Sequence, residues 1–419
     1  MTITEELTGP GPLTLARRHL SSSRAALGEM FGGHLEESSH GAIVTTHDGQ
    51  RFLNCAGYGV FILGATHPHV VESVVDQIRR HPVSTRILVD TAAPAAAEAL
   101  VRVAPEGLTK VHFVGSGAEA TECAIKLARA HGKRRLVTTV NGYHGKTLGA
   151  LSVTARRLYQ EPFEPLLPDV VEVPYGDAEA LERALAGQPP SCFIVEPVQG
   201  EGGVVIPPPD YLAEVSRICA EHDCFLVFDE ILTGMARLGR WWGSQATPVR
   251  CDAMLVGKGL SGGVAPVAAV LATEKAYKPF DKDPFIHTST FAGAPIAMAA
   301  ARAAVEAIEA EDVVARSASL GAHLLAELTD SVGRHCPHLV TEVRGQGMLI
   351  GLEMNDPGLA GEVMLELISA NVVVNHSLNN SRVLRLTPPA VMDEDEVRWL
   401  LKAFDDALAI VGQRFPLAG

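Results

Sequence analysis

Lys258 stands in DAMLVGKGLSGG (252–263), directly after an apolar run and ahead of three glycines. A lysine at the end of a buried strand loses solvation, which disfavours its ammonium form and frees the neutral amine to attack a carbonyl. The plainer reading, a lysine on solvated surface, stays beside it. Asp229 and Glu230 close CFLVFDE (224–230), where a carboxylate ends a stretch of apolar residues. Buried without a partner it is costly, so it asks for a cation, unless it only caps the next turn. A third stretch, VGSGAEA (114–120), is a glycine-rich turn that opens an amphipathic helix. Free backbone N–H groups and the positive end of the dipole make such a turn an anion site. It also fits the dinucleotide fingerprint GxGxxA through Gly115, Gly117 and Ala120. That reading requires an acid at the end of the next strand, but RLVTTV runs into Asn141 and Gly142. The fourth stretch, NGYHGKT (141–147), carries Tyr143 and His144. Its ring can stack on a flat cofactor, or it can be a packed tyrosine beside a satisfied loop histidine.

Together the four stretches supply an anion cradle, an aromatic plate, a carboxylate and an amine. Pyridoxal phosphate requires that set: a phosphate site, a ring face, a partner for the pyridine nitrogen and a Schiff-base lysine. A nicotinamide dehydrogenase needs neither the lysine nor the buried carboxylate.

These residues need elements to hold them. KVHFV, RLVTTV, DVVEV, SCFIVE, CFLVFD and DAMLVG are short, nearly continuous apolar runs. Such runs suit strands covered on both faces, and helical patterns at 69–80, 93–103, 117–131 and 208–222 alternate with them. The expectation is a mostly parallel α/β sheet that binds its ligand beyond the carboxyl ends of the strands. A helix is expected over 13–31, then a hairpin about Asp48–Gly49 in IVTTHDGQRFLN. In the C-terminal third, helices at 295–309, 312–330, 357–369 and 393–411 flank the strand-like LVTEVRG, GMLIGLEM, VVVN and VLRLTP. The domain expectation is an N-terminal segment, 1–64, packing with a small α+β domain, 311–419, and a large α/β domain, 65–310.

Composition narrows the function class. Hydrophobic residues are 47% and charged residues 20% of the chain, ordinary globular usage that excludes disorder. A net charge of −14 argues against nucleic acid. No apolar run approaches the roughly 20 residues that span a bilayer, and the acidic MTITEELTGP has no signal-peptide pattern. Seven scattered cysteines without a CxxC pair read as buried hydrophobes in a reducing cytoplasm, with no metal site expected.

From about residue 41 onward, the sequence resembles the class III aminotransferases of the ornithine, acetylornithine and putrescine type. FLNCAGYGVFILGATHP, GSGAEATECAIKLARA, GYHGKTLGALSVTA, EPVQGEGGVVIPPPDYL, VFDEILTG, GKGLSGGVAPVAAVLA, HTSTFAG, VRGQGMLIGLEM and LRLTPP carry the resemblance. Within that family, PFEPLLP and SLNNSRVLRLTPP look most like putrescine aminotransferases. The resemblance implies fold type I and a pyridoxal phosphate cofactor. It also implies a homodimer with active sites at the subunit interface, an amine donor and a keto-acid acceptor. Lys258 would form the Schiff base and Asp229 would face the pyridine nitrogen. Tyr143, with His144 beside it, would stack on the ring. Ser116, Gly117 and Ala118 would hold the phosphate, with Thr290 reaching over from the neighbouring subunit. Arg385 would receive a substrate carboxylate, Glu201 would mask that arginine, and Tyr58 would line the substrate pocket. Departures from the family pattern stand at Leu232, Ala292, Ala294, Ala65 and Leu238. They leave the substrate, and an epimerase or aminomutase outcome, open.

Overall fold

The computed structural model describes residues 11–246 and 248–417; the acidic opening segment, 1–10, lies outside them. Seven strands form the main sheet. Across it run Leu108–Val114, Ala268–Thr273, Ala253–Val256, Phe225–Asp229, Ser191–Val195, Arg135–Thr139 and Val170–Val173. Ala268–Thr273 is antiparallel to both its neighbours, and the remaining pairs are parallel. The mostly parallel α/β expectation is met. Full burial explains the unbroken apolar runs: Phe193, Ile194, Val227, Phe228, Met254 and Leu255 are all wholly covered. Helices Gly117–Ala130, Tyr211–Glu221 and Pro295–Ala310 are among those that cover the sheet, each turning an apolar face inward.

Two strand placements put the chemistry on one edge. Asp229 lies in register with Leu255, whose strand leads into Lys258 two residues after Val256. Val114, which leads into the glycine-rich turn, pairs with Ala268, while Val256 pairs with Ala269. The antiparallel strand thus lets Leu108–Val114 end on the same side as its parallel neighbours.

Two smaller sheets flank this one. Val340–Gln346, Leu349–Met354, Val383–Leu386 and Asn375–His376 form one of them. In the other, Glu36–His40, Ile43–Thr46 and Arg51–Asn54 form a meander, and Val372–Val373 adds in parallel to Arg51–Asn54. The hairpin expected about Asp48–Gly49 is present, with Ile43 opposite Leu53. The run VVVN does not form one strand. It divides between two sheets, Val372–Val373 in one and Asn375–His376 in the other. The helix expected over 13–31 is likewise two, Pro12–His19 and Ser22–Met30. Ser21 breaks the run by capping the second with its own hydroxyl. All seven cysteines are free thiols. Among the described residues, no helix is long and apolar enough to cross a membrane.

Candidate active site

Lys258 begins a tight turn with φ 43°, a left-handed conformation that is costly for a residue with a side chain. Gly59, itself at φ +78°, lies against the Lys258 side chain and leaves room for Leu232. A Cβ there would meet Leu232 Cδ1 at 2.4 Å and Lys258 Cδ at 3.7 Å. Burial lowers the Lys258 pKa below 10.5. Glu201 opposes that shift, Arg385 adds to it, and Asp229 and Glu196 oppose it. Neutral amine is therefore easier to reach here than on a solvated lysine.

The partner of buried Asp229 is His144. Its Nδ1 lies 2.6 Å from Asp229 Oδ2, and both side chains are covered. Burial works against a charged imidazole, yet the hydrogen bond and charge of Asp229, with Glu196 behind, raise the His144 pKa. Asp229 Oδ1 accepts the Ile231 N–H at 3.1 Å. His144 Nε2 is buried without a partner. Ile231 joins the carboxylate to the other motifs, because a Cβ on Gly117 would stand 2.8 Å from its Cδ1 and one on Gly257 3.3 Å from its Cγ2. The glycine-rich turn, the aspartate and the lysine are thus packed around one isoleucine.

At the cradle, Ser116 caps helix Gly117–Ala130 by accepting the Glu119 N–H, and Glu119 accepts the Gly115 N–H at 2.6 Å. Gly145, at φ +118°, lets the Tyr143 loop lie against Ala118, whose Cβ would be 2.7 Å from a Cβ there. Tyr143 itself is partly covered, and burial together with Glu201 pushes its phenol up to about 12. Lys146 Nζ lies 6.0 Å from the centre of the Tyr143 ring and 3.8 Å over that of Tyr159.

Opposite this group, Arg385 Nη1 meets Glu201 Oε1 at 2.6 Å, with side-chain exposures of 1% and 5%. The pair is close but poorly aligned, and Arg385 Nε and Nη1 make no hydrogen bond. Glu201 Oε2 accepts the Leu378 N–H at 2.8 Å. Burial would raise the Glu201 pKa, but Arg385 and then Lys258 bring it below 4.5. Leu232 fills the space beside this pair. A Cβ on Gly200 would stand 2.0 Å from Leu232 Cδ2 and 3.8 Å from Arg385 Nη1. Leu232 and Leu238 belong to one buried cluster with Val198, Val204 and Leu349.

Lys258, Asp229, His144, Tyr143, Glu201 and Arg385 are therefore brought together with the 116–118 turn. Two expected site residues are exposed. Tyr58 is exposed at φ 53°. Thr290 is exposed, and its carbonyl accepts Arg86 Nη2 at 2.9 Å. Among the described residues, no hydrogen bond or ion pair joins the Thr290 side chain to the lysine cluster.

Two buried residues of the site escaped the sequence reading. Glu196 accepts the Tyr143 N–H and the Gly200 N–H, both at 3.1 Å. Its place after SCFIV matches that of Asp229 after CFLVF, so the same signal was present. Arg237 gave no signal. It is 1% exposed and donates to the carbonyls of Met348, Pro388 and Gly59, tying together three distant parts of the chain. Burial, with Arg385 nearby, brings its pKa down to about 9. A separate cluster of His112, Cys123 and His287 holds possible ligand atoms within 4.8 Å of one another, but Lys126 Nζ stands 2.8 Å from His287 Nδ1.

Residues 30–408 match the family model described as aminotransferase class III. The chain belongs to that family. Class III aminotransferases are pyridoxal-phosphate-dependent. The ornithine aminotransferase of Toxoplasma gondii is similar at 27% identity and TM-score 0.86, over 97% of this chain and 99% of that one. An omega transaminase of Pseudomonas jessenii, solved with PMP, is similar at 25% identity and TM-score 0.87, over 94% and 96%. A Virgibacillus transaminase at 23% identity shares the fold, with TM-score 0.88 over 96% and 99%. The residues of this aminotransferase fit the cofactor: an amine of lowered pKa, a buried carboxylate and a capped helix N-terminus converge. The nicotinamide reading of the 114–120 turn falls away.

Proposed function

We propose that this aminotransferase moves a terminal amino group from a diamine or ω-amino acid, of the putrescine or ornithine type, to 2-oxoglutarate in a ping-pong cycle. The buried Arg385–Glu201 pair is the observation that carries the reading. A dicarboxylate can take Arg385 once Glu201 turns away, and Glu201 can neutralise Arg385 when a cationic donor is bound. Neither state leaves a buried charge unpaired.

Pyridoxal phosphate supplies an aldehyde that condenses with amines and a ring that withdraws electrons. The chain's own residues do the rest. Lys258 Nζ, its ammonium form disfavoured by its covered site, takes the proton from the substrate carbon and returns it on the other side of the transfer. Asp229, oriented by His144, holds a proton on the pyridine nitrogen. Ser116, Gly117 and Ala118 would hold the phosphate, Tyr143 would cover the ring, and Tyr58 would line the way in.

We further propose a homodimer in which Thr290 serves the neighbouring subunit's phosphate. Ile87, Leu88 and Val89 expose 82%, 74% and 90% of their surface, and Phe285 and Phe291 are also open. The Arg86–Thr290 hydrogen bond ties these two segments together. Apolar surface of this extent marks an interface. Seven free thiols suit a cytoplasmic location. The division into 1–64, 65–310 and 311–419 is kept as the domain proposal, supported by the strand that 372–373 lends to the N-terminal meander.

A panel of amines offered with 2-oxoglutarate, and read as glutamate formed, tests the activity. Glutamate from diamines or ω-amino acids is the expected result. Turnover with pyruvate as the sole acceptor would overturn the role given to Arg385.

A further inference from the structure

Glu196 is a buried carboxylate, 5% exposed, at the end of strand Ser191–Val195. Among the described residues it makes no ion pair, and its polar partners are two backbone amides. Those amides belong to different loops. Oε1 takes the N–H of Tyr143, whose ring is read above as the cofactor's plate. Oε2 takes the N–H of Gly200, the residue before Glu201. The Tyr143 loop continues into His144 and so to Asp229 at 2.6 Å, while the Gly200 loop continues into Glu201 and so to Arg385 at 2.6 Å.

A charged group in a dry site costs free energy, and two neutral amides offset only part of it. Burial pushes the Glu196 pKa up; His144 opposes this and Asp229 adds to it, leaving the carboxyl at about 7. Other contacts already hold the second loop from its far side. Ser377 Oγ donates to the Gly200 carbonyl at 3.2 Å, and Arg344 Nε donates to the Gly203 and Val204 carbonyls at 3.0 Å. Gln199 Nε2 reaches the Val140 carbonyl at 2.9 Å, and Asn379 bridges the Glu201 and Asn141 carbonyls at 3.0 and 2.9 Å, so the two loops also meet at their starts; Glu196 is the group that holds the Tyr143 N–H itself together with the Gly200 N–H.

We propose that Glu196 is a positioning residue that fixes the Tyr143 loop relative to the Glu201 loop, so that one carboxylate sets both the ring plate and the mask over Arg385. The proposal rests on the functional reading above. Its test begins with a measurement that needs no substrate.

The test uses the holoenzyme of Glu196→Gln and Glu196→Asp. The glutamine offers one oxygen and turns an NH2 toward the second amide; the aspartate keeps the charge but reaches only one loop. In both variants pyridoxal phosphate release should quicken, and the induced circular dichroism of the bound cofactor should change. KM for 2-oxoglutarate should rise while KM for the amine donor moves less. A lost charged hydrogen bond corresponds to about tenfold or more in each affected constant. In a double-mutant cycle with Glu201→Gln, the acceptor KM effects should be non-additive. If both variants merely melt earlier, with cofactor release, dichroism and the acceptor KM as in the wild type, the proposal is overturned. Additivity in the cycle overturns it equally. If the wild type rejects 2-oxoglutarate, the functional reading fails, and cofactor release and dichroism still decide whether Glu196 sets the Tyr143 plate. Should Glu196→Gln fail to fold, Glu196→Asp carries the same measurements.

Discussion

The lysine cluster and the segments around Leu88 and Thr290 differ in how completely one chain finishes them. Around Lys258 the charges are covered and matched: His144 on Asp229, Glu201 on Arg385, two amides on Glu196. Around Leu88, large apolar side chains face outward, joined mainly by the Arg86 guanidinium to the Thr290 and Ala292 carbonyls. The first region is set by burial within the chain. The second leaves its apolar area open, and the homodimer proposed above would cover it. The contrast separates residues whose role follows from their own surroundings from those whose role needs a partner.

The closed region breaks most completely at its centre. Lys258→Ala should lower transamination by about a thousandfold or more and abolish the visible absorbance of lysine-bound cofactor. Retained activity with unchanged absorbance would refute the assignment of the amine. Next comes the ion pair. Arg385→Ala should cost about 2–5 kcal/mol in kcat/KM for 2-oxoglutarate, with the loss concentrated in the acceptor half-reaction. An equal loss in the donor half-reaction would show that the arginine does not sort the two substrates.

The open region is sharpened by a charge on its face. Leu88→Asp should leave the isolated fold within about 0.5 kcal/mol, because the side chain is exposed, yet halve the mass seen by light scattering and reduce activity. A wild-type chain that already runs as a monomer contradicts the dimer. The smallest effect concerns pH. Glu196 and His144 both have folded pKa values raised above their ordinary 4.5 and 6.5. Each therefore binds its proton more tightly when folded. The stability this lends is complete below the ordinary value and is lost as pH rises through the folded one. Melting of the cofactor-free protein should fall from about pH 4.5 toward 7. Glu196→Gln should flatten that fall by about 2 °C; an unchanged slope would show that Glu196 does not take up its proton on folding, since the His144 contribution is lost only above pH 6.5.

Much of this was legible in the order of residues. Apolar runs ending in Asp229, or leading into Lys258, marked both the strands and the edge where they stop. What was hidden falls into three physical kinds. Ala268–Thr273 is alanine-rich, so its pattern does not separate a strand from a helix, although it is antiparallel to both strands it joins. Arg237 acts through three backbone carbonyls far apart in the chain, and no spacing encodes that. Glu196 was readable by the rule that picked out Asp229. Its partners, however, are main-chain amides, which leave no mark in a sequence.

The parallel pairing of Val372–Val373 with Arg51–Asn54 has a consequence for the order in which the molecule is made. Leu53 N–H donates to the Asn371 carbonyl at 2.8 Å, and Cys55 N–H to that of Val373 at 2.9 Å. While the chain emerges from the ribosome, the meander at 36–54 keeps an open edge until some 320 further residues have been synthesised. An unpaired edge of that kind is a template for the wrong strand. Ribosomes stalled just before residue 371 should therefore hold a nascent chain that a holdase chaperone still recognises, and those stalled well past residue 390 one that it has let go.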